Sequence, residues 1–470
     1  MSVPNTHFGA MQIGELIKRA SRKSIFFVGI GGINMSSLAH ISHIRGMKVG
    51  GSDRAPSALT HRLQGEGIDI FYSHDASNID GYDMLVYTVA ISEDNPEYAA
   101  ARKMGIPCIS RSDYMGYLMT GYKRRIGISG MHGKSTCTSM CAEALMLSGV
   151  DPTVLSGAQL TSMGGAYRVG GEEYFLFEAC EYMDSFLDFN PTVSVILNIE
   201  MDHVDYFESM EHIKRSYLHF ARLSGEEGIC VANMDSKNVR DALSDHTGLT
   251  MWFGLNDKAD FRAVNIEQEQ GCYSFDIVAY GEYFCSVRLR VGGYHNIYNA
   301  LACAAALCVS GISPQDIKRG LEAFVGAERR MEYKGMLNGA RVFDDYGHHP
   351  TEVRATLAGA RDMLSGEGRL FCVFQSHTYS RTAALLGDFA SALDIADRVV
   401  ITDIYAAREV DTMGMTPELF AECIGEKASA CHGFHKAAEL LRKELSAGDI
   451  AIVMGAGDVW HTFEYLDLER

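Results

Sequence analysis

Seven residues, Gly130-Met131-His132-Gly133-Lys134-Ser135-Thr136, most constrain what this chain folds into. They follow a strand-like run, Arg125 to Ser129, and open a helix-like run from Ser135 to Ser148 that Gly149 can end. Strand, glycine loop and helix in that order aim backbone N–H groups and a positive helix end at a phosphate. Lys134 then reaches the outer phosphates, and Ser135 Oγ sits where a magnesium ion binds. The loop is a shortened G-x-x-G-K-S, because Ile128 stands where the full Walker pattern has Gly. The same stretch also serves as a plain strand-to-helix turn, so the residues downstream decide its chemistry.

The 470 residues predict about three domains. A content of 47% hydrophobic and 22% charged residues is ordinary for globular cores. The net charge of -18 argues against a general nucleic-acid surface, which needs a basic face. Twelve cysteines without a C-x-x-C pair suggest neither a zinc site nor a disulfide framework, and predict a reducing cytoplasm. The apolar run Ile25 to Ile41 is broken by Gly29, Gly31, Gly32, Asn34, Ser36 and Ser37, and predicts strand, loop and helix rather than a membrane span.

Strands alternate with helices from end to end. Ser24 to Val28, a loop at Gly29-Ile30-Gly31-Gly32, a helix from Met35 to Arg45 and a strand near Lys48 ending at Gly51-Ser52-Asp53 make a β-α-β unit. Asp53 falls where a ribose-binding acid would stand. The dinucleotide fingerprint is incomplete because Asn34 replaces its third Gly, so a nucleotide-sugar or diphosphate fits better than NAD. Further strands are expected at Met84 to Thr88, Tyr174 to Phe177, Val193 to Asn198, Ala340 to Phe343, Leu370 to Phe374, Arg398 to Thr402 and Ile450 to Val453. Helices are expected from Asn95-Pro96, over Asn296 to Ser310 and over Thr382 to Leu393. The predicted fold is α/β, three domains each built on a mainly parallel doubly wound sheet, over residues 1–122, 123–330 and 331–470.

Five clusters carry candidate chemistry. Glu178-Ala179-Cys180-Glu181 leaves a strand end, where a carboxylate points into the ligand crevice, and Glu178 could hold magnesium beside Ser135. Asn198 to Asp205 sets acids around His203, again at a strand end, and suits a second divalent cation or a capped turn. Asn296 and Asn299 share one helix face, toward a nucleotide or with Asn296 as a cap. Asp344 to Glu352 packs acids, Tyr346, His348 and His349 into one loop. His377-Thr378-Tyr379-Ser380-Arg381 offers a guanidinium fork for a carboxylate.

In this order the motifs resemble the Mur ligases, a family that adds amino acids to the peptidoglycan precursor, and the likeness covers essentially the whole chain. The stretches 345–352 and 377–381 look specific to the alanine-adding member. The resemblance implies a UDP-sugar-binding Rossmann-like first domain, a central ATP-binding P-loop domain and a Rossmann-like third domain that receives the amino acid and closes over the site. The implied substrates are ATP with Mg2+, UDP-N-acetylmuramate and L-alanine, joined through an acyl phosphate on the lactoyl carboxylate by a monomer or homodimer with no nucleic-acid or membrane partner. Carried over by residue, Lys134, His203 and His348 are catalytic. Residues 130–136, that is Gly130, Met131, His132, Gly133, Lys134, Ser135 and Thr136, contact ATP together with Asn296, Asn299, Arg330 and Asp345. Ser135, Glu178 and His203 hold metal. Gly31, Gly32, Asp53, Tyr346, His348, His377 and Arg381 bind substrate, with Arg381 on the alanine carboxylate and His348 a candidate base. The chain departs from the family pattern at Asn34, Ser37, Thr88-Val89, Met131, Cys180 and Met331. The alternatives are a related ligase with another amino acid or peptide, and a non-catalytic nucleotide-sugar-binding protein.

Overall fold

The computed structural model describes residues 8–88, 91–203, 206–364, 366–407 and 409–469. Three sheets succeed one another along the chain. The first holds β1 (Ser24–Val28), β2 (Lys48–Ser52), β3 (Asp69–Phe71), β4 (Met84–Tyr87) and β5 (Cys108–Ser110), all parallel in the order β3-β2-β1-β4-β5. Asn95 caps the helix Pro96–Met104 through the Tyr98 N–H, with Pro96 in its first turn and left-handed Gly105 ending it.

The second sheet has ten strands. They are β6 (Arg124–Ser129), β7 (Thr153–Leu160), β8 (Gly165–Arg168), β9 (Tyr174–Glu178), β10 (Val193–Ile196), β11 (Ile229–Asn233), β12 (Leu249–Gly254), β13 (Phe261–Glu269), β14 (Cys272–Ala279) and β15 (Glu282–Gly292). The order is β15-β14-β13-β12-β11-β10-β6-β9-β7-β8. The phosphate-loop strand β6 lies between β9 and β10, so their carboxyl ends open beside the loop. The third sheet, β16 (Glu332–Leu337), β17 (Ala340–Asp345), β18 (Leu370–Phe374), β19 (Arg398–Thr402), β20 (Ala428–Cys431) and β21 (Ile450–Met454), is parallel except at β16.

The sheets are mainly parallel, as expected, but β13–β15 form an antiparallel meander that the strand-helix alternation did not show. Its turns are two-residue loops, Gln270-Gly271 and Tyr280-Gly281, with positive φ at both positions (51° and 80°, 52° and 85°). That is the I′ hairpin, and Asn338-Gly339 repeats it between β16 and β17. The single helix expected over Thr382 to Leu393 is two, Tyr379–Ala384 and Leu386–Leu393, parted at Leu385 (φ -116°). Leu385 itself gives no sign of the break, which Gly387, two residues on, marks only loosely.

One apolar cluster spans the first two units: Ile25, Tyr114 and Leu118 share it with Phe175, Phe177, Phe186 and Phe220. The third sheet keeps its own cores on its two faces. The contacts that reach from the third unit to the phosphate loop and its neighbours include hydrogen bonds and ion pairs, such as Thr351 to Glu200 and Arg381 to Asp202, and ring contacts such as His349 on His132. Apolar burial therefore fuses units one and two, while polar contacts that water can replace hold this side of unit three.

Candidate active site

The phosphate loop is shaped by Gly133, which has φ +82° and would place a Cβ 2.7 Å from Asn299 Oδ1. No other residue fits both the angle and the space. Asn198, just beyond β10, clamps the loop: its Nδ2 donates to the His132 carbonyl at 3.0 Å and its Oδ1 accepts the His132 N–H at 2.9 Å. Lys134 opens the helix Lys134–Leu147, and its Nζ donates to the Gly130 and Met131 carbonyls and to both oxygens of Glu181, each 3.1 Å away. Burial works against that ammonium, and Glu181 more than offsets it, so its pKa lies above the usual lysine value. Glu181 is 1% exposed and also faces His203 Nε2 at 3.4 Å.

Ser135 Oγ stands 3.1 Å from Glu178 Oε2, and the other Glu178 oxygen takes the Ser156 hydroxyl and the Gly157 N–H. Arg330 Nη2 donates to Ser135 Oγ at 3.1 Å. A hydroxyl and a carboxylate converging beside a phosphate loop fit the oxygen ligation of Mg2+. His203, at φ 50°, reaches Glu181 rather than this pair. Val204, Asp205 and Val89 lie outside the described residues.

The Asn pair faces one way: Asn299 Nδ2 donates to Asn296 Oδ1 at 2.9 Å, and Asn296 Nδ2 to the Gly292 carbonyl. Asn296 is not the helix cap; Tyr294 occupies that place. In the third unit Asp345 accepts the Gly347 and Met331 N–H groups, each at 2.8 Å, and burial pushes its carboxyl pKa up. Arg330 lies over the Tyr346 ring, 4.8 Å from its centre. Ring contacts then run from Tyr346 to His348, from His348 to His377 and from His377 to Tyr405. Burial lowers His348 to about 4, against the pull of Glu352, so it is neutral near pH 7. Arg381 spends Nε and Nη2 on Asp202 Oδ1 (3.2 and 3.0 Å) and turns Nη1 to His377 Nδ1 (3.3 Å). Burial opposes the Asp202 charge, but Arg381, His203 and His349 hold its carboxyl well below the usual range.

One cleft of about 640 Å³ is lined by residues 131–136 with Glu178, His203, Asn296, Asn299, Arg330, Asp345, Tyr346 and His348. His377 and Arg381 are outside its lining and border it through His348 and Asp202. A separate cleft of about 430 Å³ in the first unit is lined by Gly29, Asp53, Arg54 and His74. There Asp53 Oδ2 accepts the Gly31 N–H at 2.7 Å, and Gly32 precedes the helix Ile33–Ile44 as its cap.

Three family descriptions match the chain in order: "Mur ligase family, catalytic domain" over residues 24–123, "Mur ligase middle domain" over 128–307 and "Mur ligase, glutamate ligase domain" over 329–457. The UDP-N-acetylmuramate–L-alanine ligase of Acetivibrio thermocellus is 44% identical over 447 residues, 94% of this chain and 95% of that protein. The chain belongs to the Mur ligase family. Among solved structures, the UDP-N-acetylmuramate-alanine ligase of Thermotoga maritima has a TM-score of 0.77 at 26% identity, covering 94% of this chain and 98% of its own. A murein peptide ligase of Psychrobacter arcticus shares the fold at a TM-score of 0.68 and 22% identity, over 95% and 99%.

In this Mur ligase several residues matter beyond those the sequence singled out. Glu181 and Asp202 stood inside quoted motifs, yet only the structure pairs them with Lys134 and Arg381. Glu200, Thr351 and Glu352 gather around His132. Tyr405, stacked on His377 at 5.5 Å, had no motif; its one signal was its place just after the end of β19. No helix is long and apolar enough to cross a membrane among the described residues.

Proposed function

We propose that this chain joins L-alanine to the lactoyl carboxylate of UDP-N-acetylmuramate at the expense of ATP, in peptidoglycan precursor synthesis. The observation that carries the reading is the shared cleft, in which the phosphate loop and Glu178 face Arg330, Asp345, Tyr346 and His348 of the chain's last third. In this reading the first-unit cleft at Asp53 would take the UDP moiety, so that residues 1–122 would serve the sugar nucleotide, 123–330 ATP and 331–470 the amino acid. All twelve cysteines are free, which suits a reducing cytoplasm.

A carboxylate is a poor electrophile until an oxygen is made a leaving group. Its attack on the γ-phosphate of ATP gives an acyl phosphate and ADP. Lys134, with the loop N–H groups, neutralises the transferring phosphate, and Glu181 holds the ammonium ready before ATP arrives. Mg2+ held by Ser135 and Glu178, with His203 toward a second ion, would supply further charge neutralisation. Arg330 spans the phosphate side and Tyr346. Arg381 has its Nη1 edge uncommitted to Asp202 and would take the alanine carboxylate. His348, uncharged near pH 7, is the candidate acceptor for the proton of the attacking amine. The polar seam to the third unit lets it open for substrates and exclude water when shut.

With ¹⁸O in the lactoyl carboxylate, the acyl phosphate route sends one label into inorganic phosphate. Unlabelled phosphate overturns that route.

A further inference from the structure

A second set of metal-ligating side chains shares no residue with Ser135, Glu178 and His203, although His132 and Glu200 line the same cleft. One donor atom from each of His132, Glu200 and His349 lies within 4.8 Å of the other two. It is the one such group of three among the described residues. The ligands come from segments far apart in the chain: the phosphate loop, the loop after β10, and the residue that caps the helix Pro350–Asp362.

The local packing already resembles a ligand cage. The two imidazole rings lie 4.7 Å apart at 32°. His132 Nε2 is 3.2 Å from Glu200 Oε2. Each imidazole also has an outer partner for its other nitrogen. Glu352 Oε1 stands 3.4 Å from His132 Nδ1, in ion-pair range though without hydrogen-bond geometry. The Met201 carbonyl stands 3.3 Å from His349 Nε2. Carboxylates and carbonyls in those places fix the tautomer of a metal-bound histidine. The Thr351 hydroxyl steadies Glu200 at 2.5 Å. In the tautomer that donates Nε2–H to Met201, His349 Nδ1 keeps its lone pair. Its remaining contact is the Thr351 amide at a long 3.3 Å.

Two imidazoles and one carboxylate are a borderline-soft set that suits Zn2+ and late first-row ions. Mg2+ prefers six oxygens. A zinc ion with bonds of about 2.0–2.2 Å sets its ligands roughly 3.3–3.6 Å apart, so side-chain rotation completes the set and leaves a fourth position for water.

We propose that His132, Glu200 and His349 bind one zinc-class divalent cation, which ties the third unit to the phosphate loop. Binding displaces the His132 Nε2 proton to solvent and the Thr351 amide contact on His349. The cation differs in class from the Mg2+ that Ser135 and Glu178 would hold, so an excess of magnesium leaves it in place. It also bridges the polar seam, so its occupancy holds the third unit closed.

The test is titration of the whole protein with Co2+ and Zn2+ under millimolar Mg2+, against a chromogenic chelator. The expected result is one ion per chain, with visible d–d bands of a four-coordinate N/O site and no thiolate charge-transfer band. His349→Ala and Glu200→Gln each weaken binding at least about tenfold, the scale on which even outer partners of a metal site act. Thr351→Val, which removes no ligand, weakens it less and guards against a variant that fails to fold. No uptake by the wild type, displacement by millimolar Mg2+, a thiolate band from one of the free cysteines, or unchanged binding in His349→Ala overturns the proposal.

Discussion

Glu181 grips Lys134 through both carboxylate oxygens, each 3.1 Å from Nζ, inside the loop that would hold the phosphates of ATP. The carboxylate thus occupies the partner role an anionic phosphate takes over, and keeps a buried ammonium charged and aimed until then.

In the proposed mechanism Lys134→Ala removes the charge that would meet the transferring phosphate, and should lower phosphate release by about 10²–10³-fold or more. Binding of UDP-N-acetylmuramate stays nearly intact, because the Asp53 cleft is a separate one. Single-turnover phosphate release and calorimetric binding check the two halves. Equal loss of both contradicts the division of labour.

Arg381→Ala raises the alanine requirement far more than the ATP requirement. It also costs roughly 3–5 kcal/mol of stability, because it strands the Asp202 carboxylate, whose side chain is 7% exposed. KM for each substrate and urea denaturation read the two effects. An unchanged alanine KM removes Arg381 from the amino-acid pocket.

His132 sets a pH limit. Burial opposes its charge, yet the hydrogen bond to Glu200 and the nearby carboxylate of Glu352 raise it from 6.5 to about 9. A folded-state pKa above the unfolded one stabilises fully below the unfolded value, and that stability is lost as pH rises through the folded value. The contribution, of order 1–3 kcal/mol, is present below pH 6.5 and gone above about 9. The stability gap between the wild type and His132→Gln should close across that window in urea unfolding. A gap that widens with pH contradicts it.

Chelation of magnesium should stop phosphate release, and added Mg2+ should restore it. Glu178→Gln keeps the Ser135 contact but loses the charge, and raises the Mg2+ requirement at least about tenfold, since ligand charge tunes affinity for hard cations. A Mg2+ titration of release rate checks it, and an unchanged midpoint takes Glu178 out of the metal site.

Much of the cleft's lining was legible because several of its residues leave the ends of parallel strands. The phosphate loop, Glu178, the Asn296–Asn299 pair and the 345–352 loop all announce themselves by position after a strand or at a helix start. Pairings across the chain were not legible. Arg381 meets Asp202 from 179 residues away, and Thr351 meets Glu200 from 151. Only the stacking of the units brings such residues together. The I′ turns at Gln270-Gly271 and Tyr280-Gly281 did carry a local sign, glycine at the second turn position, but without Asn or Asp before it that sign is faint.

The most direct measurement is phosphate release with product mass, using UDP-N-acetylmuramate, ATP, Mg2+ and each amino acid in turn. Release with L-alanine and a product heavier by one alanyl residue is the expected result. Release with a different amino acid or only with a peptide, or none with any of them, contradicts the assignment.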